Sequence, residues 1–327
     1  MRSTDASPTL APVGTRAEPY HRLGTLGLPG AWRPVVGIGL LVLLILSAQV
    51  VCGVVVSAAL ALSGRSSAEI TDALSGDPTT PSFLALVNLG WALAIAAAIL
   101  VVRLVHGQGA GRLASVVGRL RWRWFAVCLA LAALSLVLTL VVGSFLPDQG
   151  AAGTRVDGGL NPWTTATRDF LLVILLLTPL QAAGEEYVFR GYLTQALGQL
   201  AAGRVGAIVA VTVPALLFAL AHGAQDLPVF ADRLAFGLVA GVLVLRTGGL
   251  EAGIAMHVLN NFLAFGLALA FGDMTSALQP GDGTWWALPV TLTQSVSFVV
   301  LATWAARRRG IEVRGGGPGL VARRGRV

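Results

Sequence analysis

The chain has 327 residues, 55% of them hydrophobic and only 12% charged, with a mean hydropathy of +0.76. Soluble domains carry about 25% charged residues, so the composition excludes a soluble globular protein and describes an integral membrane protein. All 23 basic residues are arginine and the net charge is +7. In so apolar a chain that charge belongs to span ends and tails that meet anionic headgroups, not to a nucleic-acid surface. An arginine-only basic set, with abundant Ala, Gly, Leu and Val, points to a GC-rich bacterial genome and so to a bacterial plasma membrane. Cys52 and Cys128 both lie in apolar runs, which speaks against a disulfide framework or a cysteine metal cluster.

Residues 1–33 are polar, contain Pro and Gly, and read as a disordered cytoplasmic tail. The first apolar run, 34–62, exceeds the roughly 7–15 residues of a signal-peptide core and reads as a retained span. About 20 apolar residues cross a bilayer as a helix. Further runs at 82–105, 124–146, 169–199, 205–222, 229–246, 250–271 and 285–306 meet that length or approach it. The expected fold is therefore an all-α integral membrane protein of about eight transmembrane helices, with a polar active-site cavity inside the bundle. Trp32, Trp122, Trp124, Trp163, Trp285, Trp286 and Trp304 fall near span ends, as an interfacial aromatic belt does; Trp91 does not. The chain divides into the tail 1–33, three N-terminal helices and their loops at 34–164, a core of helices 4–7 at 165–271, a loop and last helix at 272–306, and a basic cytoplasmic tail at 307–327.

Arginine placement orients these spans. With the N-terminus inside, only Arg65, Arg155, Arg168 and Arg233 fall outside, Arg190 lies within the fourth span, and every other arginine falls on the inner side. Both termini are expected in the cytoplasm, with the basic segments against anionic lipid.

The fourth span carries Glu185, Glu186 and Arg190 deep in apolar sequence. Ionisable groups at such depth cost about 3 kcal/mol or more and mark function. Glu186 and Arg190 are four apart on one helix face and should pair, because an unpaired buried charge costs several kcal/mol. Glu185 points about 100° away from Glu186 and lacks that partner, which makes it a candidate general base. The next span carries Phe218 and His222, four apart; the seventh carries His257 and Asn261, also four apart, with Asn260 facing elsewhere. Each feature alone has an ordinary structural role: a hydrogen-bonded helix-end histidine, an interhelical asparagine, an ion-pair lock. Together they put Glu, His, His and Asn on three helices. Glu185, His222 and His257 could hold zinc or another divalent metal with a position open for water. Without metal, Glu185 and His222 could activate water while His257 and Asn261 stabilise an oxyanion. Either way the two histidines must lie within about 12 Å of each other, since catalytic reach is a hydrogen bond or one water. A zincin H-E-x-x-H motif and a G-x-S-x-G elbow are both missing from the sequence.

Glu-Glu-x-x-x-Arg at 185–190, Phe-x-x-x-His at 218–222 and His-x-x-x-Asn at 257–261, in that order and with Phe189-Arg190-Gly191-Tyr192 around the first, resemble the motifs of the CPBP family, also called Abi or CAAX prenyl protease-like intramembrane proteases. The resemblance covers roughly residues 165–271. It implies an all-helical membrane endopeptidase acting on a membrane-associated protein or peptide, with Glu185 activating water, His222 assisting or binding metal, His257 and Asn261 completing the site, and Glu186 paired with Arg190. It implies a metal-assisted or a glutamate mechanism, the metal-assisted one being the main expectation. The main alternative is a catalytically silent relative, a scaffold or bacteriocin-immunity protein that binds a peptide or partner. A proton- or ion-relaying transporter would instead need paired broken helices.

Overall fold

The computed structural model describes residues 17–147, 159–223, 226–279 and 283–316. A backbone in lipid has no water to bond, so apolar runs of this length close their hydrogen bonds internally as helices. Among the described residues eight helices are long and apolar enough to cross a membrane, which is the expected all-α membrane architecture.

A short strand β1 (Glu18–Pro19) and a 3₁₀ turn (Tyr20–Leu26) precede α1 (Arg33–Leu62). A short helix α2 (Ser67–Leu74), started by a Ser66–Glu69 capping box, leads to α3 (Pro81–Leu104), which Thr80 and Pro81 begin. The one-turn α4 (Gly111–Ala114) precedes α5 (Trp122–Gly143). The fourth span, read from sequence as one helix, is segmented into α6 (Thr165–Leu176), α7 (Thr178–Glu186), a π-helical stretch at Tyr187–Leu193 and α8 (Thr194–Gly198). Pro179 sits in the first turn of α7, where its missing N–H ends the α6 ladder. α9 (Gly203–Leu220), α10 (Leu227–Thr247) and α11 (Glu251–Phe271) complete the core. The short α12 (Met274–Leu278), the last span α13 (Ala287–Arg308) and strand β2 (Arg314–Gly315) follow.

α1 packs on α3 and α3 on α7; α5 packs on α11 and α13; α10 touches α9, α11 and α13. Of the motif-bearing helices, α7 is backed by α3 and α11 by α5, while α9 packs against α10. The exposed residues of α1 include Val42, Leu43, Leu46, Val50 and Val54, the side expected to face lipid.

Residues 17–33 correct the expected disordered tail, as do residues 307–316 at the other end. Tyr20 is fully buried and its hydroxyl donates to the Leu113 carbonyl. Arg22 donates to the Gly198 and Ala201 carbonyls at 3.4 and 2.9 Å. β1 pairs antiparallel with β2, so the two described chain ends clasp each other at one end of the bundle. The sequence hid this because the segment is held by backbone carbonyls and by Tyr20, Leu23 and Leu26 packed on a small core, too few apolar residues to make a run. Residues 1–16 and 317–327 lie outside the described residues. Trp124 is a second correction: in the first turn of α5, it is buried in the core of the bundle rather than placed in the aromatic belt, whereas Trp32, Trp122, Trp163, Trp285, Trp286 and Trp304 are all exposed at span ends.

Candidate active site

Two glycines let the carboxylates approach their neighbours. A Cβ at Gly184 would lie 1.9 Å from the Trp91 carbonyl oxygen, so only glycine permits α7 to press its backbone against α3 at that level. A Cβ at Gly253 would lie 2.7 Å from Glu186 Oε2, so α11 too leaves room for the carboxylate. The π-helical stretch begins at Tyr187, immediately after the two glutamates. Its wider turn re-aims the side chains behind them, a feature frequent at functional sites.

Glu185, Glu186, Arg190, Phe218 and His257 meet in one buried cluster, with Asn261 half-buried and His222 exposed at its edge. Arg190 Nη1 donates to Glu186 Oε1 at 2.9 Å, with both side chains essentially inaccessible. This is the ion pair expected from the spacing. His257 adds a contact the spacing did not foretell: its Nδ1 lies 3.0 Å from the same Glu186 oxygen, and its Nε2 lies 3.6 Å from Glu185 Oε2. An ionised Glu186 can only accept, so Nδ1 donates to it; in the neutral ring Nε2 then presents its lone pair to Glu185. Glu185 is not without a partner, as the helix geometry had implied. Gln181 Nε2 donates to Glu185 Oε1 at 2.5 Å, and Gln181 Oε1 accepts from Asn261 Nδ2 at 3.0 Å. Glu185 Oε2 is buried with no hydrogen bond. Buried carboxylate oxygens are rarely left so, and each calls for an explanation.

His222 joins the cluster through aromatic rings rather than through the carboxylates. Its Nδ1 donates to the Phe218 carbonyl at 2.8 Å and its ring stands 4.7 Å from that of Phe218. Phe218 in turn contacts His257, with centroids 5.9 Å apart. These two distances together are below the 12 Å limit, so the two histidines share one wall. Phe236 lies 5.2 Å from His257 and stacks near Phe218, while the Arg190 guanidinium lies 4.2 Å over the Phe218 ring. Such a cation over a desolvated ring gains about 2 kcal/mol. Trp91, which sequence placed outside the aromatic belt, closes the α3 side at 5.9 Å from Phe189.

Gln181, Phe236 and Trp91 were missed. Gln181 had a signal, since it precedes Glu185 by one helical turn; Phe236 and Trp91 are apolar residues in apolar helices and had none. The expected metal set of Glu185, His222 and His257 does not form. A catalytic zinc takes about three protein ligands, and among the described residues no three His, Cys, Asp or Glu side chains gather to hold an ion. The His257 nitrogens face the two glutamates, and His222 uses Nδ1 on its own helix.

The helical bundle thus buries a glutamate pair against histidine, glutamine and asparagine. Residues 167–263 match the family model described as type II CAAX prenyl endopeptidase Rce1-like. That matched segment holds all three motifs, so the likeness falls on the residues of the cluster. A curated relative, the uncharacterized protein YyaK of Bacillus subtilis (strain 168), is 28% identical over 145 residues, which is 41% of this chain and 48% of that protein. The matched part of the chain thus spans about half of that relative's length. No solved structure matches.

Proposed function

We propose that the protein is an intramembrane endopeptidase that hydrolyses a peptide bond of a membrane-associated protein or peptide, with Glu185 as the base that activates water. The observation that carries this reading is the free Glu185 Oε2, buried and 3.6 Å from the lone pair of His257 Nε2. Two acceptors so close repel unless a donor lies against both. A water there donates one proton to each and keeps its own lone pairs for the scissile carbonyl carbon. As the new C–O bond forms, Glu185 takes the proton; it then passes to the leaving amine as the C–N bond breaks. Asn261 Nδ2 has two N–H groups and spends one on Gln181. The second is the donor for the developing oxyanion, where one such bond is worth about 3–4 kcal/mol. In this mechanism His257 is the neutral ring and accepts on the Glu185 side, so the oxyanion role goes to Asn261. His222 keeps Nε2 available at the rim. Glu186, locked by Arg190, sets the tautomer of His257.

The same reading places the protein in a bacterial plasma membrane with the clasped ends in the cytoplasm, where arginines are concentrated and anionic lipid is met. The test is cleavage, mapped by mass spectrometry, of a pool of acyl-anchored quenched-fluorescent peptides in liposomes. The purified protein and Glu185→Gln are compared before and after dialysis against a chelator. Cleavage by the wild type alone, unchanged by the chelator, supports a glutamate mechanism. Activity lost to the chelator and restored by zinc would replace it with a metal-assisted one. No cleavage by any form would favour a silent scaffold.

A further inference from the structure

We propose that Gln181 is a positioning residue for the hydrolysis, holding the base on α7 and the oxyanion donor on α11 in one fixed relation. The inference rests on the proteolytic reading above. Gln181 is buried, and its amide uses both ends within the site, donating to Glu185 Oε1 at 2.5 Å and accepting from Asn261 Nδ2 at 3.0 Å. Neither contact survives a flip of the amide: the carbonyl would then face a carboxylate oxygen, and the NH₂ would face another NH₂. The orientation is thus determined by its neighbours. Two consequences follow for the chemistry. The bond to Oε1 turns Glu185 so that Oε2 is the oxygen left facing His257 Nε2. The bond from Asn261 fixes that amide as well, so its remaining N–H has one direction. Base and oxyanion donor come from different helices, and among their hydrogen bonds Gln181 is the side chain that touches both. A misplacement of about 1 Å at such a pair costs on the order of 100-fold in rate.

Gln181→Met keeps length and volume but removes both contacts. In the liposome peptide assay it is expected to lower kcat about 10- to 100-fold with KM within about twofold, because the residue orders the reacting groups rather than binding substrate. Gln181→Asn, which retains an amide one methylene short, is expected to show the same kcat loss and serves if the first variant folds poorly. In the Gln181→Met background Asn261→Ala is expected to remove far less activity than in the wild type, since the two side chains act as one unit. A wild-type kcat in both Gln181 variants, a loss confined to KM, or losses that multiply independently would each overturn the proposal. If wild type cleaves and Glu185→Gln does not, the proteolytic reading stands and these results judge Gln181 alone. If wild type does not cleave, that reading falls and takes this one with it.

Discussion

Two arginine–glutamate pairs lie where α11 meets the rest of the bundle, one made by Glu251 of α11 itself and one touched by its His257, and they are built differently. At the clasped end, Arg121 meets Glu251 with Nε and Nη2 at 2.8 and 2.7 Å, and its backbone N–H reaches the same carboxylate at 2.9 Å. Its remaining donors reach the Thr247 and Glu312 carbonyls. Every guanidinium nitrogen is satisfied, as in a pair whose task is to hold. In the motif cluster Arg190 makes one contact with Glu186, while Arg190 Nε, Arg190 Nη2 and Glu186 Oε2 have no hydrogen-bond partner. Incomplete satisfaction in a dry interior is costly, and it recurs here beside the free oxygen of Glu185. The contrast teaches that buried charge alone does not mark the site; in the motif cluster it comes with unused hydrogen-bonding capacity on adjoining side chains.

The comparison makes ordered predictions. Glu185→Gln should lower turnover about 100- to 10,000-fold while leaving thermal unfolding close to wild type, read by reconstituted activity and by a detergent melt. Glu186→Ala strands both Arg190 and His257 Nδ1, and should cost about 3–5 kcal/mol, seen as lost yield and a lower Tm; Arg190→Ala should mirror it. Normal folding of both variants with activity lost would show that this pair is not structural. Gly184→Ala should push α7 from α3 and cost about 1–3 kcal/mol as overpacking does, with activity falling alongside Tm; a wild-type melt would contradict the close approach at Trp91. The smallest effect concerns pH at the clasp. Burial, and then the Arg33 charge, hold His106 below the ordinary histidine range. The unfolded segment therefore takes up its proton first as pH drops below about 6.5. The stability this neutral histidine contributes is full above that pH and declines as the pH falls toward its lowered folded value. The hydrogen-exchange protection factor at Leu28, whose N–H donates to the His106 carbonyl, should fall on acidification in wild type and much less in His106→Gln.

How much could be read beforehand follows from the physics of each feature. The eight spans were legible because lipid demands long apolar helices, and their ends agree with the apolar runs to within a few residues. The Glu186–Arg190 pair was legible from a spacing of four within one helix. The His257 bridge to both glutamates was not, because it depends on how α11 is rotated against α7, which Gly253 and Gly184 decide by close approach. The clasp was hidden for a different reason: the 3₁₀ turn is held by distant backbone carbonyls and by only a few buried side chains, Tyr20 and Leu23 among them, which make no periodic pattern in the segment itself.

The most direct test sets the two glutamates of this comparison against each other. Turnover per folded molecule would be measured for Glu185→Gln and for Glu251→Gln in the same liposomes, with the folded fraction of each taken from its melt. The account predicts that Glu185→Gln is folded and inactive, and that Glu251→Gln is less stable but turns over at close to the wild-type rate in the molecules that remain folded. Wild-type turnover in Glu185→Gln, or equal losses per folded molecule in both variants, would contradict it.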